Sequence, residues 1–274
     1  MIVDGNNIAS DILRSVRAEL GEQEPVVRAV VMAPTAVTES YLRIKTEKAR
    51  EAGMRLELVR IESEASKEEI IHKIGLPGAD AVIVQLPLPA NIDEQSVLNA
   101  IPLEKDADAL SSLAYGRFLN NEKGALLPPV ACAVAEILSR AGVQVAGKRT
   151  VVVGNGKLVG APVAAWLARE GADVIILTQG TFENKKAFLK DAELVVSGAG
   201  SPHFITPDLL QKGVLLIDAG TSESDGAIVG DFDPACAEIA SLYTPVPGGV
   251  GPIAVACLFK NVAELIGNKG LQYP

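Results

Sequence analysis

Apolar positions along the chain fall into two successive series of short runs, separated by segments of helical period. In the first series residues 26–32 form a compact apolar run. Residues 38–52 repeat at helical spacing, with Tyr41, Ile44, Lys45 and Lys48 along one side, and Gly53 stands where a helix is expected to stop. Residues 54–60 alternate as a strand does, residues 66–74 are helical, and residues 81–85 form an apolar strand that stops at Pro87 and Pro89. A short helix is expected over 93–100. This β-α-β-α-β order predicts a largely parallel sheet with helices on its faces. The second series begins near Pro128. It reads as a helix over 130–141, a strand over 149–153 ending in Gly154, a helix over 159–169 stopped near Gly171, and strands over 173–178, 193–197 and 214–218. That is the doubly wound plan. A last helix over 252–266 follows a segment rich in Gly and Pro and is expected to cross back onto the first domain. No repeat of solenoid period and no low-complexity tract interrupts this order.

Composition narrows the class. A chain of 274 residues is long enough for two modest domains, each with its own core. Hydrophobic residues make up 48% of it, yet no apolar run reaches the roughly 18–20 residues that span a bilayer. The first ten residues are polar and lack a signal pattern, so the cytoplasm is the expected compartment and no membrane partner is expected. Cys132, Cys236 and Cys257 lie far apart, without metal-ligand spacing, which fits a reducing compartment. A net charge of −9 with no basic stripe argues against a nucleic-acid partner. Two His, His72 and His203, make a His-rich metal site an unpromising reading, and no metal is expected.

Five segments could carry chemistry. Gly154-Asn155-Gly156-Lys157-Leu158-Val159-Gly160 lies at a predicted strand-to-helix junction, where glycines let a pyrophosphate approach the backbone and the helix start offers free N–H groups. Its Gly-x-Gly-x-x-x-Gly spacing is one residue longer than the usual dinucleotide fingerprint, and a plain tight turn is the competing reading. The next strand ends at Thr178-Gln179-Gly180-Thr181 with no acidic residue to hold a ribose 2′-hydroxyl, which leans toward NADP. Tyr41 and Lys45 are four apart on one helical face. A lysine beside an aromatic ring can move protons if burial lowers its pKa, but taken alone the pair more often means a solvated lysine lying on a ring. Val84-Gln85-Leu86-Pro87-Leu88-Pro89 ends a parallel strand at the edge where ligands bind open α/β sheets, though taken alone such a segment is more often an ordinary Pro-bearing loop. Within Glu104-Lys105-Asp106-Ala107-Asp108 a carboxylate could receive paired N–H donors of a heterocycle, or the run could be a solvated loop. Finally, Thr244-Pro245-Val246-Pro247-Gly248-Gly249-Val250-Gly251-Pro252 fixes the chain path and leaves bare backbone for a ligand, a more specialised segment than a strand-to-helix link needs.

Together these segments, in this order from Asp4-Gly5 to the final helix, resemble the methylenetetrahydrofolate dehydrogenase/cyclohydrolase family. The most specific stretches are Tyr41-Leu42-Arg43-Ile44-Lys45, residues 84–89, 105–108 and 244–252. The resemblance implies an α/β folate lobe over residues 1–122, completed by 252–274, and a Rossmann-type NAD(P) lobe over 123–251. A cleft would lie between the lobes, and a homodimer would form through the cofactor lobe. It further implies that Lys45 is the cyclohydrolase catalytic residue, that Gln85 orients it and tunes its protonation, and that Tyr41 stacks on the pterin. Asp108 would be the pterin-binding carboxylate, with Leu86, Pro247, Gly248 and Gly249 lining the substrate. Cofactor contacts would come from Gly154, Asn155, Gly156, Lys157, Val159, Gly160, Thr178, Ala199, Gly220 and Thr221. The implied partners are tetrahydrofolate derivatives: the 5,10-methylene form, oxidised to methenyl with NAD(P), and the 10-formyl product of hydrolysis.

Departures from the family cluster on the cofactor side. Pro-Cys-Thr-Pro reads Pro128-Pro129-Val130-Ala131 here, Gly-Arg-Ser reads Gly154-Asn155-Gly156, and His-Ser reads Gln179-Gly180. Gly-Ile-Asn reads Gly220-Thr221-Ser222, and Pro-Met-Thr reads Pro252-Ile253-Ala254. The lost Arg is the family's 2′-phosphate partner, and Lys157 or Lys185 could stand in for it. NADP is favoured over NAD. Three other readings stay open: a cyclohydrolase with weak or lost dehydrogenase activity, a folate-binding protein without catalysis, and an unrelated nicotinamide dehydrogenase.

Overall fold

A computed structural model describes residues 1–178, 185–224 and 227–267, the side chains of residues 36, 37, 185 and 186 excepted. The chain divides into two compact units. One comprises Ser10–Pro129 with the chain from Val255 onward. The other comprises Met1–Ala9 and Val130–Ala254. The sequence expectation kept the whole N-terminus with the first lobe and set the boundaries near 122 and 252. The first nine residues instead belong to the second unit because their backbone pairs there. The Met1 ammonium donates to Ser241 O at 2.7 Å, Val3 N to Tyr243 O at 2.9 Å and Gly5 N to Gly248 O at 2.9 Å.

Helix α1 (Gly5–Leu20) starts in these residues and runs into the first unit. The Asp4 carboxylate caps it by accepting from Asn7 N at 3.0 Å, and Ala9, Ile12, Leu13, Val16 and Leu20 form its buried stripe. The elements that follow are β1 (Val26–Met32), α2 (Ala36–Glu51), β2 (Arg55–Ile61), α3 (Lys67–Gly75), β3 (Ala81–Val84), α4 (Glu94–Leu98) and α5 (Ser112–Leu119). Thr35, Ser66, Asp93 and Ser111 cap α2 to α5 through side-chain oxygens. The sheet is parallel in the order β2-β1-β3, so β1 is central, and its apolar run is buried on both faces. Arg28 interrupts that run, but its guanidinium is satisfied by Glu57 and by the Pro77 carbonyl. On α2, Leu42 and Ala49 face the core while Ile44 is exposed, so the side carrying Tyr41 and Lys45 is not the core stripe.

The second unit contains α6 (Pro129–Arg140), β4 (Arg149–Val153), α7 (Gly160–Arg169), β5 (Asp173–Leu177), α8 (Lys185–Lys190), β6 (Leu194–Ser197), β7 (Leu215–Asp218), a small hairpin of β8 (Ser222–Ser224) and β9 (Ala227–Val229), and β10 (Leu242–Tyr243). Its five-stranded sheet is wholly parallel in the order β10-β7-β6-β4-β5. Counted within the unit this is 2-1-3-4-5 read from the β5 edge, a doubly wound order whose switch point lies between β4 and β6. Helix α9 (Val250–Gly267) closes the described chain. From Val255 it belongs to the first unit, where Asn261 donates to the carbonyls of Ala107 and Leu127, as expected of a returning helix. By length and composition α9 is apolar enough to cross a membrane, which corrects the expectation that no segment is. Its apolar side chains, Ile253, Ala256, Phe259 and Val262 among them, are buried in the protein, as in a core helix.

Candidate active site

The first unit brings three of the expected residues together. Lys45, on α2, donates from Nζ to Gln85 Oε1 at 2.9 Å. Gln85 follows β3, its N–H bonded to Val30 O of the central strand, and its own amide N–H goes to Leu86 O at 2.8 Å. That second bond fixes which end of the amide faces the lysine. Leu86 packs against the core and precedes Pro87 through a cis peptide. Burial lowers the Lys45 pKa, and the nearby Asp108 carboxylate opposes the shift. Asp108 is pushed up to about 6, by burial first; Lys45 pulls it down and Asp106 pushes it up. Among the described residues, no protein group donates a hydrogen bond to the Asp108 carboxylate. A half-buried acceptor without a protein donor is suited to N–H groups of a ligand. Tyr41 lies half-buried one turn before Lys45 on the same helix.

Asp106, read as part of a charged loop, is fully buried. Its carboxylate accepts from Leu110 N at 3.2 Å and Ser111 N at 2.8 Å, and its backbone bridges Val82 of β3. Burial raises its pKa against those bonds. The turn between Asp106 and Leu110 places Ala109 at φ +55°, a left-handed conformation unusual for alanine.

In the second unit the glycine segment sits at the switch point. Gly154 has φ +95°, and a Cβ there would meet Gly198 O at 2.7 Å. A Cβ on Gly160 would collide with the Gly154 carbonyl, and one on Gly198 with the Val159 side chain. These three glycines let the turns after β4 and β6 touch. Gly156 differs: a Cβ there meets no protein atom within 4 Å, so packing does not require glycine at that position. Val159 provides no side-chain cap for α7; Ala161 N bonds Gly156 O at 3.1 Å and Pro162 has no N–H, so in the first turn it is Gly160 N that is left to another acceptor. These features fit a dinucleotide phosphate lying over Gly156 against the start of α7, with Asn155 and Lys157 exposed beside it. Thr178 is exposed at the end of β5. Gln179, Gly180 and Thr181, and the Lys185 side chain, lie outside the described residues.

Two buried aspartates organise the rest of this edge, and sequence reasoning missed both. Asp231 accepts from Ser197 Oγ at 2.6 Å and from the N–H groups of Ala199 and Ser201, each at 2.8 Å. Asp218 accepts from Gly220 N and Phe232 N, each at 3.0 Å. The Ala199 and Gly220 N–H groups are thus engaged within the protein, while Thr221 is exposed. Burial, with Asp231 nearby, raises Asp218 to about 7. Pro247, Gly248 and Gly249 also belong to this unit. Gly248 has φ +99°, Gly249 lies too close to the Pro245 carbonyl for any Cβ, and a Cβ on Gly5 would strike Gly249 O. Among the described residues no group of three His, Cys, Asp or Glu side chains is placed to hold a metal ion.

Fold and site define a two-unit α/β enzyme, one unit carrying a lysine–amide–carboxylate constellation and the other a dinucleotide-type sheet edge. The chain belongs to the tetrahydrofolate dehydrogenase/cyclohydrolase family. The model of that family's catalytic domain matches residues 3–108, and that of its NAD(P)-binding domain matches residues 128–269. The bifunctional protein FolD of Lacticaseibacillus casei is 35% identical, with 96% of each chain covered. The crystal structure of the bifunctional enzyme FolD, a methylenetetrahydrofolate dehydrogenase/cyclohydrolase from Campylobacter jejuni, superposes with a TM-score of 0.93 at 25% identity, covering 98% of this chain and 99% of that one. The Trypanosoma brucei N5,N10-methylenetetrahydrofolate dehydrogenase-cyclohydrolase, complexed with NADP cofactor and inhibitor, gives 0.93 at 29% identity, covering 99% of both.

Proposed function

We propose that the protein oxidises 5,10-methylenetetrahydrofolate to the 5,10-methenyl cation with a nicotinamide dinucleotide and hydrolyses that cation to 10-formyltetrahydrofolate. The observation that carries this reading is the Lys45–Gln85 bond, its amide anchored on Leu86, beside the donor-free carboxylate of Asp108. In the hydrolysis, water adds to the methenyl carbon and the bond from that carbon to N5 breaks. The neutral amine of Lys45 takes the proton from the attacking water and returns it to N5 as the ring opens; the hydroxyl proton of the adduct leaves to solvent, so one proton is released per turnover. Gln85 holds Nζ without adding charge, and so leaves intact the lowered pKa that burial provides. Asp108, ionised at neutral pH, would accept the pterin N–H groups, and Tyr41 would stack on the ring.

When bound, a nicotinamide dinucleotide would supply the acceptor for the hydride that leaves the one-carbon unit. Gly154, Gly156 and Gly160 with the start of α7 would hold its phosphates. NADP is favoured over NAD because no carboxylate ends β5, and exposed Lys157 stands near Gly156 to meet an extra phosphate as a point charge. Without a bidentate arginine, selectivity should be modest. Because the family departures cluster on this edge while Lys45, Gln85 and Asp108 hold, a weakened dehydrogenase beside a full cyclohydrolase is the second reading. Edge strand β5 exposes Ile175 and Ile176, which supports a homodimer through the cofactor unit. Cys132, Cys236 and Cys257 are all buried thiols, which fits a reducing cytoplasm.

The test is to assay methylene- and methenyltetrahydrofolate separately, with NADP and NAD each supplied for the first. Turnover of methenyl substrate by wild type and its loss in Lys45→Met supports the reading. A Lys45→Met protein as fast as wild type refutes it. A specificity constant favouring NAD would overturn the NADP preference.

A further inference from the structure

We infer that Asn261, on the C-terminal helix α9, is a positioning residue for folate recognition, because its side-chain amide fixes the peptide that carries Asp108. The inference rests on the folate-site reading above. Asp108 sits in a tight turn whose shoulders are held from within. Asp106 receives Leu110 N and Ser111 N, and Ala109 N bonds to Asp106 O at 3.2 Å. The carbonyl of Ala107, in the peptide that leads into Asp108, is tied down from outside the turn. Asn261 Nδ2 donates to it at 2.8 Å, and the other amide proton goes to Leu127 O at 3.0 Å. Asn261 is 2% exposed and is flanked on its helix by the buried side chains of Leu258, Phe259 and Val262. An amide in such a setting is costly unless satisfied, and the helix itself would pack as well around a leucine. The turn is what needs the amide. Ala109, at φ +55°, also makes the turn a conformation that must be held rather than one the chain adopts freely.

Asn261→Leu, Asn261→Ser and Asp108→Ala are compared with wild type in full-length protein, by calorimetric titration with 5-formyltetrahydrofolate as the stable probe. Asn261→Leu is expected to weaken binding about ten-fold, the low end of what one charge-assisted hydrogen bond contributes. The KM for methenyltetrahydrofolate should rise in parallel while kcat changes less than about two-fold, since Lys45 and Gln85 are untouched. The pH midpoint of probe binding should also move toward the ordinary carboxylate range as the turn relaxes. That midpoint reflects Asp108 facing Lys45 of α2 and Asp106 of its own turn. A purely structural role for Asn261 would lower the denaturation midpoint and leave Kd, KM and the pH midpoint unmoved. Should Asn261→Leu fail to fold, Asn261→Ser, too short to reach both carbonyls, is expected to show a smaller loss of the same kind. Adding Asn261→Leu or Asn261→Ser to Asp108→Ala should weaken binding no further, because both act on one contact. Folded Asn261 variants that bind like wild type, or losses that add fully to that of Asp108→Ala, overturn the proposal. If Asp108→Ala itself binds the probe normally, the folate-site reading fails; if only Asp108→Ala is impaired, that reading stands and the role of Asn261 falls.

Discussion

Replacing Gln85 by Glu puts a formal charge where the protein keeps a neutral acceptor, 2.9 Å from Lys45 Nζ. At about 3 Å and an effective dielectric of about 20, the attraction is about 5–6 kcal/mol. Lys45 is only partly buried, so water reduces this to about 1.5–3 kcal/mol, which corresponds to about 1–2 pKa units upward. The neutral amine that the hydrolysis needs then becomes about ten to a hundred times scarcer near pH 7. Cyclohydrolase kcat should fall by about that factor and recover as pH rises. Gln85→Leu acts in the opposite sense. It removes the acceptor that favours the ammonium, leaves burial less opposed, and should move the same limb to lower pH, with some loss of maximal rate from a less fixed Nζ. The assay is loss of methenyl absorbance between pH 6 and 10, corrected for spontaneous hydrolysis. The limb moving in the same direction in both variants, or in neither, would show that Gln85 does not control the protonation of Lys45.

Lys45→Met should abolish hydrolysis yet raise the thermal midpoint at neutral pH: the unfolded lysine holds its proton more tightly than the folded one, so stability in wild type rises with pH from the lowered folded pKa up to the ordinary lysine value, and methionine removes that cost. Asp218, raised to about 7, has the opposite sign among carboxylates: its contribution is greatest below about pH 4 and is lost as pH rises toward 7, so Asp218→Asn should flatten the pH dependence of the urea midpoint in that window. Gly154→Ala, at φ +95° and 2.7 Å from a carbonyl, should destabilise by about 1–3 kcal/mol in chemical denaturation. Gly156→Ala should leave stability within about 0.5 kcal/mol of wild type but weaken dinucleotide binding in titration, and unchanged affinity would mean that no phosphate approaches that backbone.

Much of the fold was legible because strands β1, β3, β4 and β6 are buried on both faces and read as apolar runs. Residues 26–32 and 149–153 coincide with β1 and β4, and Gly53, at φ +79°, ends the second helix as its position suggested. The helix at the N-terminus, for which no element was expected, carries its signal in Ala9, Ile12, Leu13, Val16 and Leu20; its polar start was weighed only against a signal pattern, and Asp4 in it is the cap. β10 is two residues long and exists because Leu215 and Leu216 lie alongside, which no local pattern announces. Lys45, Gln85 and Asp108 were found through motif order, not spacing, since 40 residues separate the bonded lysine and glutamine. Asp106 was hidden inside a charged run: its burial depends on Leu110 and Ser111 turning their N–H groups back onto it. Asp231 was invisible for the same reason at longer range, its partners Ser197, Ala199 and Ser201 lying at the end of another strand.

The two units differ, for a physical reason, in how far their chemistry depends on side chains. The proposed folate constellation would work through side chains: an amine, an amide and a carboxylate set close together, so an exchange at Lys45, Gln85 or Asp108 would alter the chemistry directly. The cofactor edge is held by backbone. Gly154, Gly160 and Gly198 are fixed by the absence of a Cβ, and Asp218 and Asp231 tie down neighbouring main-chain N–H groups, most of which any residue but proline could supply. Side chains such as Asn155 and Thr221 are exposed beside that frame and can change without disturbing it. A dinucleotide cradle therefore survives replacement of the side chains that would distinguish one nicotinamide cofactor from the other. Substitutions on this edge should tune selectivity and hydride-transfer rate, whereas loss of the fold should require changing the glycines or the two aspartates beneath.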